Sequence, residues 1–326
     1  MDTATHITMG IALGGLATLD PVVQQDPHLF QAVFIGTVVG SNAPDFDTIL
    51  KLRNNAVYIR NHRGITHSLP SIFMWGAGIT VLIHTFMPEV HFMRLFLWTL
   101  LAVGIHVLVD IFNAYGTQAM RPISKQWIAY GFINTFDYFI FGVHVVGIVA
   151  WLLGANPGPT FLILYIVIIL YYVKRYFDKK AIIKAVNEYI PEVDHVVTRP
   201  TIRNNLWQVC VITKKKFFVA KFEDKTLKIK DEYIRKPLPD LPEIELALED
   251  DNIQAFLSFS PVYRWEVTKS DDEIEIRFID LRYRAKGRYP FVAVVKFDHN
   301  LNKRNSYTGW VYSEDKLQKK LTPATS

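Results

Sequence analysis

Cysteine occurs once, at Cys210. That scarcity excludes a disulfide scaffold, a cysteine-based zinc cluster and a CxxC redox site, and it suits a reducing compartment. Charge is sparse in the first half of the chain: residues 1–173 hold 7 Lys/Arg and 8 Asp/Glu, against 29 and 23 in residues 174–326. The net charge of +5 therefore belongs to the second half, where it reads as a solvated surface beside a membrane. No nucleic-acid partner is expected. The chain also lacks a glycine-rich phosphate loop, an HExxH helix and a serine nucleophile elbow. Those absences argue against nucleotide hydrolases, zinc proteases of that type and α/β-hydrolases. Disorder is excluded by what is abundant, since 50% of residues are hydrophobic and 13% aromatic.

Six apolar stretches precede residue 174, at 7–23, 29–43, 69–87, 92–112, 133–153 and 160–177. A helix needs about 20 apolar residues to cross the hydrocarbon layer. The last four reach that length. The first two are shorter and carry Gly10, Gly14, Gly15, Gly36 and Gly40, which suit close helix packing inside a bundle. The expected fold is an α-helical membrane bundle of about six spans in residues 1–180, followed by a soluble β-rich (α+β) domain in residues 181–326. The opening Met-Asp-Thr-Ala-Thr-His has no basic segment, so a cleaved signal peptide is not expected and His6 is retained.

Lysine and arginine alternate between loops. Lys51, Arg53, Arg60 and Arg63 follow the second stretch, Arg121 and Lys125 the fourth, and Lys174, Arg175, Lys179 and Lys180 close the sixth. Residues 20–28, 88–91 and 154–159 contain none. With six crossings, that bias predicts a multi-pass protein of the cell (inner or plasma) membrane with both termini in the cytoplasm. Beyond residue 180, a short amphipathic helix is expected over 181–189 and one helix within 243–259. Alternating apolar and polar residues predict strands over 207–213, 216–222, 226–230, 265–269, 273–280 and 291–298.

Ionisable residues at the edges of apolar spans are costly and commonly functional. His6, Asp45, Asp47, His62, His67, His106, Asp110 and Asp137 all fall towards one side of the expected topology. Imidazole and carboxylate together suit zinc, with manganese or iron as alternatives. His106 and Asp110 are spaced i, i+4 and leave one helix face, so both can reach one ion. His62 and His67 share a loop in which Gly64 permits a tight bend. A buried His–Asp pair that merely joins two helices is the plainer alternative. It accounts poorly for five or more such residues at one membrane face.

The residues Thr5-His6-Ile7, Pro44-Asp45-Phe46-Asp47, His62-Arg63-Gly64-Ile65-Thr66-His67-Ser68, and His106-Val107-Leu108-Val109-Asp110 followed by Asn113 and Tyr115-Gly116-Thr117 carry a family resemblance. Over about residues 1–175 the chain resembles the membrane-bound metal-dependent hydrolases, a family of LexA-binding, inner-membrane-associated hydrolases. Its remainder looks like the β-rich extension of Bacillus-type members. More distantly, it is similar to the zinc-dependent phospholipase C and single-strand nuclease superfamily. That likeness implies His6, Asp45, His67, His106 and Asp110 as ligands in matching order. The superfamily's second, HxxxE motif is missing after His106, so one or two ions are expected rather than three.

The expected activity is metal-dependent hydrolysis, first of a phosphoester in a membrane lipid or lipid-linked phosphate at the cytoplasmic leaflet. Asp137 is an additional ligand candidate. Asp47 is a candidate base or orienting group, His62 a candidate acid, and Arg63 a phosphate clamp through its planar fork. The alternatives are an acyl ester or amide hydrolase using the same metal, and a non-enzymatic membrane sensor or scaffold with a structural metal.

Overall fold

The computed structural model describes residues 1–322. These form two compact units, one of Met1–Asp47, Arg63–Ala181 and Arg199–Asn204, the other of Thr48–His62, Ile182–Thr198 and the chain from Asn205 onward.

The first unit is helical: α1 (Thr3–Leu16), the short α2 (Pro21–Gln25), α3 (Pro27–Gly40), α5 (Leu69–Phe86), α6 (Phe92–Asp110), α7 (Tyr138–Leu152) and the start of α8 (Pro157–Tyr189). The intervening α4 (Asn55–Asn61) belongs to the second unit. Among the described residues, α5, α6 and α8 alone are long and apolar enough to cross a membrane, so the expected six spans are corrected to three candidates. Helix caps account for the difference. Asp20 accepts a backbone N–H bond ahead of Pro21 and so splits the first apolar stretch, while α3, capped by Asp26 ahead of Pro27, ends at Gly40 before the second stretch does. Asp137 caps α7 and removes the first residues of the fifth. The resulting 14-residue helices α1 and α3 are about 21 Å long, against a hydrocarbon core of about 30 Å.

Small residues let these short helices sit deep in the bundle. A methyl group at Gly10 would lie 2.8 Å from Cα of Val38, and one at Gly40 would lie 3.1 Å from the carbonyl oxygen of Thr99. Helix α3 is thereby held between α1 and α6, with Leu29, Ala32, Val33, Leu95 and Val103 fully buried.

The second unit contains two antiparallel four-stranded meanders. The first runs β1 (Val193–Pro200), β2 (Leu206–Thr213), β3 (Lys216–Glu223) and β4 (Thr226–Ile234), although the last two residues of β1 and the turn after it are counted with the helical unit. The second runs β5 (Tyr263–Lys269), β6 (Ile274–Asp280), β7 (Phe291–Phe297) and β8 (Lys303–Trp310). Registers such as Val209↔Ala220 and Phe278↔Ala293 set the pairing. Strand β7 is apolar and buried except at Lys296, because both its faces are covered. Phe291 stacks on Phe256 of α10 (Asp251–Phe259), while Val292 and Val294 meet Leu317 and Leu321 of α11 (Glu314–Leu321).

The predicted strands are found as β2 to β7. Strands β1 and β8 were missed, β8 because Lys303-Arg304-Asn305-Ser306 gives no apolar alternation. The single helix expected in 243–259 is two, α9 (Pro242–Glu249) and α10, separated at Asp250, whose carboxylate caps α10. The amphipathic segment 181–189 is the continuation of α8. Residues 48–62, taken from sequence as a membrane loop, pack on the second unit, where the Asn55 side-chain amide donates to the carbonyl of Thr308 (3.1 Å).

Candidate metal centre

In the helical unit, four chain-distant side chains converge. His106 and Asp110 come from the last two turns of α6, His67 from the loop before α5, and Asp45 from the 3₁₀ segment Ala43–Leu52 that follows α3. His67, His106 and Asp110 are fully buried. Their ligand-type atoms face one another closely. His67 Nε2 lies 3.2 Å from His106 Nε2, and Asp45 Oδ1 lies 3.5 and 3.7 Å from these two nitrogens. Asp110 Oδ2 lies 3.6 and 3.8 Å from the same pair. In a tetrahedral site with bonds near 2.1 Å, ligand atoms are about 3.4 Å apart. Five of the six edges of such a figure are given by those distances.

Hydrogen bonding on the far side of each imidazole fixes its tautomer. His106 Nδ1 is 2.6 Å from the carbonyl oxygen of Ser41, so Nδ1 carries the proton and Nε2 presents a lone pair. Thr66 donates its hydroxyl proton to Asp47 Oδ2 (2.7 Å), which leaves its oxygen to accept from His67 Nδ1 (3.1 Å). His67 therefore also turns a lone pair inward. Burial drives its imidazole down to about 3, against the raising pull of Asp45, so the ring is neutral and ligand-ready. For Asp45 burial acts upward, but His106, His67 and Arg63 together hold its carboxyl well below the usual carboxylate range. Two nitrogen lone pairs and two carboxylate oxygens thus point at one place with no proton to share among them. That donor set fits a divalent cation.

Asp110 uses its other oxygen elsewhere. Oδ1 is 3.6 Å from His6 Nε2 and touches the amino group of Met1. The His6 ring stacks on His106 at 3.8 Å between centroids, and its Nδ1 has no hydrogen-bond partner among the described residues. Arg63 is buried and places Nη2 3.1 Å from Asp110 Oδ2 and Nη1 3.3 Å from Asn113 Oδ1. The tight bend expected at Gly64 falls on Arg63 itself, whose φ is 58°. Its N–H donates to Asp47 Oδ2 (3.2 Å) and its carbonyl accepts from Gln118 (2.9 Å), which holds this left-handed conformation.

Of the sequence candidates, Asp45, His67, His106 and Asp110 are brought together, with His6 and Arg63 against Asp110. Asp47 orders the loop through Thr66 and the Arg63 N–H, and one of its oxygens lies within 4.8 Å of a carboxylate oxygen of Asp45. Asp137 is elsewhere, a correction to its place among the ligands. One of its oxygens caps α7 through Phe139 and Ile140, and the other accepts from the Tyr171 hydroxyl (2.9 Å). His62 is counted with the second unit, where its ring stacks on Tyr58.

Three supporting groups escaped the sequence. The Ser41 carbonyl gives no signal, being backbone. Thr66 lies within the His62–Ser68 motif, where a hydroxyl beside His67 can set a tautomer. Asn113 accepts from the N–H groups of Tyr115 and Gly116 and donates to Asp110 Oδ1 (3.2 Å). Its i+3 spacing from Asp110 was the available clue.

Comparison with known protein families matches three successive regions of the chain. Residues 191–233 match the model of the YfhP middle domain, and residues 242–321 that of the YfhP C-terminal alpha/beta plait domain. The chain is 54% identical to the "Uncharacterized protein YfhP" of Bacillus subtilis (strain 168), over 98% of both chains. No solved structure matches it. The family description names a membrane protein and no reaction, and with the three long apolar helices it points to a membrane location. Through residues 1–182, which contain all of the His/Asp cluster, the chain belongs to the YdjM inner membrane protein family.

Proposed function

We propose that this protein is a membrane-embedded metal-dependent hydrolase, and that its reaction is cleavage of a phosphoester in a membrane lipid or lipid-linked phosphate. The observation that carries the reading is the inward convergence of two imidazole lone pairs and two carboxylate oxygens at the end of α6. Asp45, His67, His106 and Asp110 would hold the ion, zinc first by donor type. His6 Nε2 and the outer oxygen of Asp110 both meet the amino group of Met1, so a second ion there would have to displace it. Bound there, a divalent ion supplies Lewis acidity, lowering the pKa of water towards about 7 and polarising a phosphoryl oxygen.

The protein's own groups do the rest. Ser41 and Thr66 hold the two imidazoles in the tautomer that binds. Asp47 fixes the Thr66 hydroxyl and the Arg63 backbone together, so it acts as a positioning residue. Arg63 keeps a permanent positive charge beside Asp110, where a planar fork can meet phosphate oxygens. The two long apolar helices α5 and α6 flank the centre, which suits a substrate whose tails remain in the bilayer.

The test is elemental analysis of detergent-purified protein, followed by a turnover screen of lipid phosphates against acyl esters. Wild type should carry one or two divalent ions per chain, and His106→Ala should lose at least nine-tenths of them while eluting as the same folded species. Hydrolysis of lipid phosphates that fails in His106→Ala supports the proposal. Turnover of acyl esters alone replaces the substrate class, and normal metal content with no turnover of either indicates a structural metal.

A further inference from the structure

The polar segments around the centre carry apolar side chains that their surroundings do not bury. Phe46, between Asp45 and Asp47, is 53% exposed and sets its ring edge-on to Trp75 of α5 at 5.9 Å. Ile65, two residues before His67, is 58% exposed. Met120 and Ile123 follow in the segment after α6, and Ile123 is 80% exposed. These are not independent loops. The N–H of Leu69, the first residue of α5, donates to the carbonyl of Ala119 (3.0 Å), and the N–H of Gln118 donates to the carbonyl of Arg63 (2.9 Å). The exposed residues therefore ring the N-terminal end of α5, beside the ligands they neighbour in sequence.

Single exposed apolar residues are ordinary on a protein surface, but a cluster on hydrogen-bonded loops is not. Water-facing loops that hold an ionic centre have no reason to present isoleucine, phenylalanine and methionine outward. A bilayer edge supplies the reason. α5 starts at Leu69 and α6 ends at Asp110, and both are candidate spans, so the loops joined to those ends lie at the level where lipid headgroups give way to acyl chains.

We infer that Phe46, Ile65, Leu69, Met120 and Ile123 form an apolar entrance immersed in the acyl-chain edge of the bilayer, through which ligands reach the centre from the lipid phase. The inference rests on the reading of the His/Asp cluster as a metal centre for a lipid substrate and adds the side from which that substrate comes. Each rim residue contributes by burying its side chain among acyl carbons.

The experiment attaches an environment-sensitive dye to Ile65→Cys and Ile123→Cys in the full chain, reconstituted in phosphatidylcholine/phosphatidylglycerol vesicles with and without brominated acyl chains. Cys210 is buried, so unsubstituted protein should take up no dye and serves as the control. Leu170→Cys on α8 is the lipid reference, and Asp271→Cys, exposed in the second unit, is the aqueous one. Both rim positions should show blue-shifted emission and bromine quenching at least half that of Leu170→Cys. Emission and quenching like those of Asp271→Cys at both positions overturn the inference. Metal content of the same labelled proteins reports on the centre separately. Bound metal with an aqueous dye removes the entrance and keeps the centre; an immersed dye without metal removes the centre and keeps the entrance.

Discussion

Both units bury charged groups, and they do so in opposite ways. In the β-rich unit, Asp280 and Arg282 form a closed pair: the guanidinium donates to both carboxylate oxygens (2.7 and 3.1 Å) and to the carbonyl of Phe259 (2.9 Å). Acceptors and donors are matched there, and nothing is left to bind. In the helical unit, Asp45, His67, His106 and Asp110 present acceptors to one another, with Arg63 the nearby guanidinium and only on Asp110. A matched buried pair is architecture, because its charges are cancelled within the protein. A surplus of lone pairs is a request for a cation. The difference separates a structural from a functional reading more sharply than burial does, since Asp280 and Asp110 are equally inaccessible.

Three experiments would break or sharpen that contrast. The largest effect is expected from Asp280→Ala, which leaves Arg282 buried without its partner and should cost about 3–5 kcal/mol in the second unit. Cys210 reports it directly, because its thiol donates to the Leu281 carbonyl and should become reactive to a thiol reagent at a lower denaturant concentration. Unchanged Cys210 protection would show that the pair is not what holds that core.

A smaller effect is expected from Thr66→Val, which keeps shape but removes the acceptor for His67 Nδ1. Metal affinity, measured by competition with a chromophoric chelator, should fall about tenfold, the low end for such supporting groups. Affinity equal to wild type would mean that the His67 tautomer is set by something else.

The smallest concerns Asp231, a partly exposed carboxylate outside the helical unit. Burial acts upward on it, but the Arg284 guanidinium and the Tyr289 hydroxyl outweigh that and hold it below the ordinary carboxylate range. A depressed folded-state value contributes stability above the unfolded value near about 4, and that stability disappears as pH falls further. Asp231→Asn should therefore lower stability slightly at pH 7 and flatten the loss of stability below about pH 4, as read from thermal melts across pH. An acid limb as steep as that of wild type would remove Asp231 from the account.

Much of the site was legible before any coordinates. His106 and Asp110 lie one helical turn apart, and that spacing alone puts both on one face of α6. Asp45 and His67 could be nominated because ionisable residues at span edges are expensive. Asp137 was nominated on the same ground and serves as a helix cap, since an aspartate ahead of a helix can satisfy its cost with the helix's own N–H groups. The misjudged span count has a related origin. Apolar composition continues across Asp20-Pro21, while capping at that aspartate begins a new helix. Residues 48–62 read as a membrane loop by position, yet Asn55 bonds to Thr308, a contact 253 residues away that no local pattern encodes.

The sequence by itself determined the partition into an apolar helical half and a charged β-rich half, because periodicity and hydropathy are local properties. It also determined which residue types were available for a cation. Only the tertiary structure decided that Ser41 and Thr66 accept the outer protons of the two imidazoles, and that four acceptors are left facing one point. Those outcomes depend on distances between segments tens of residues apart, and the packing of α3 between α1 and α6 sets them.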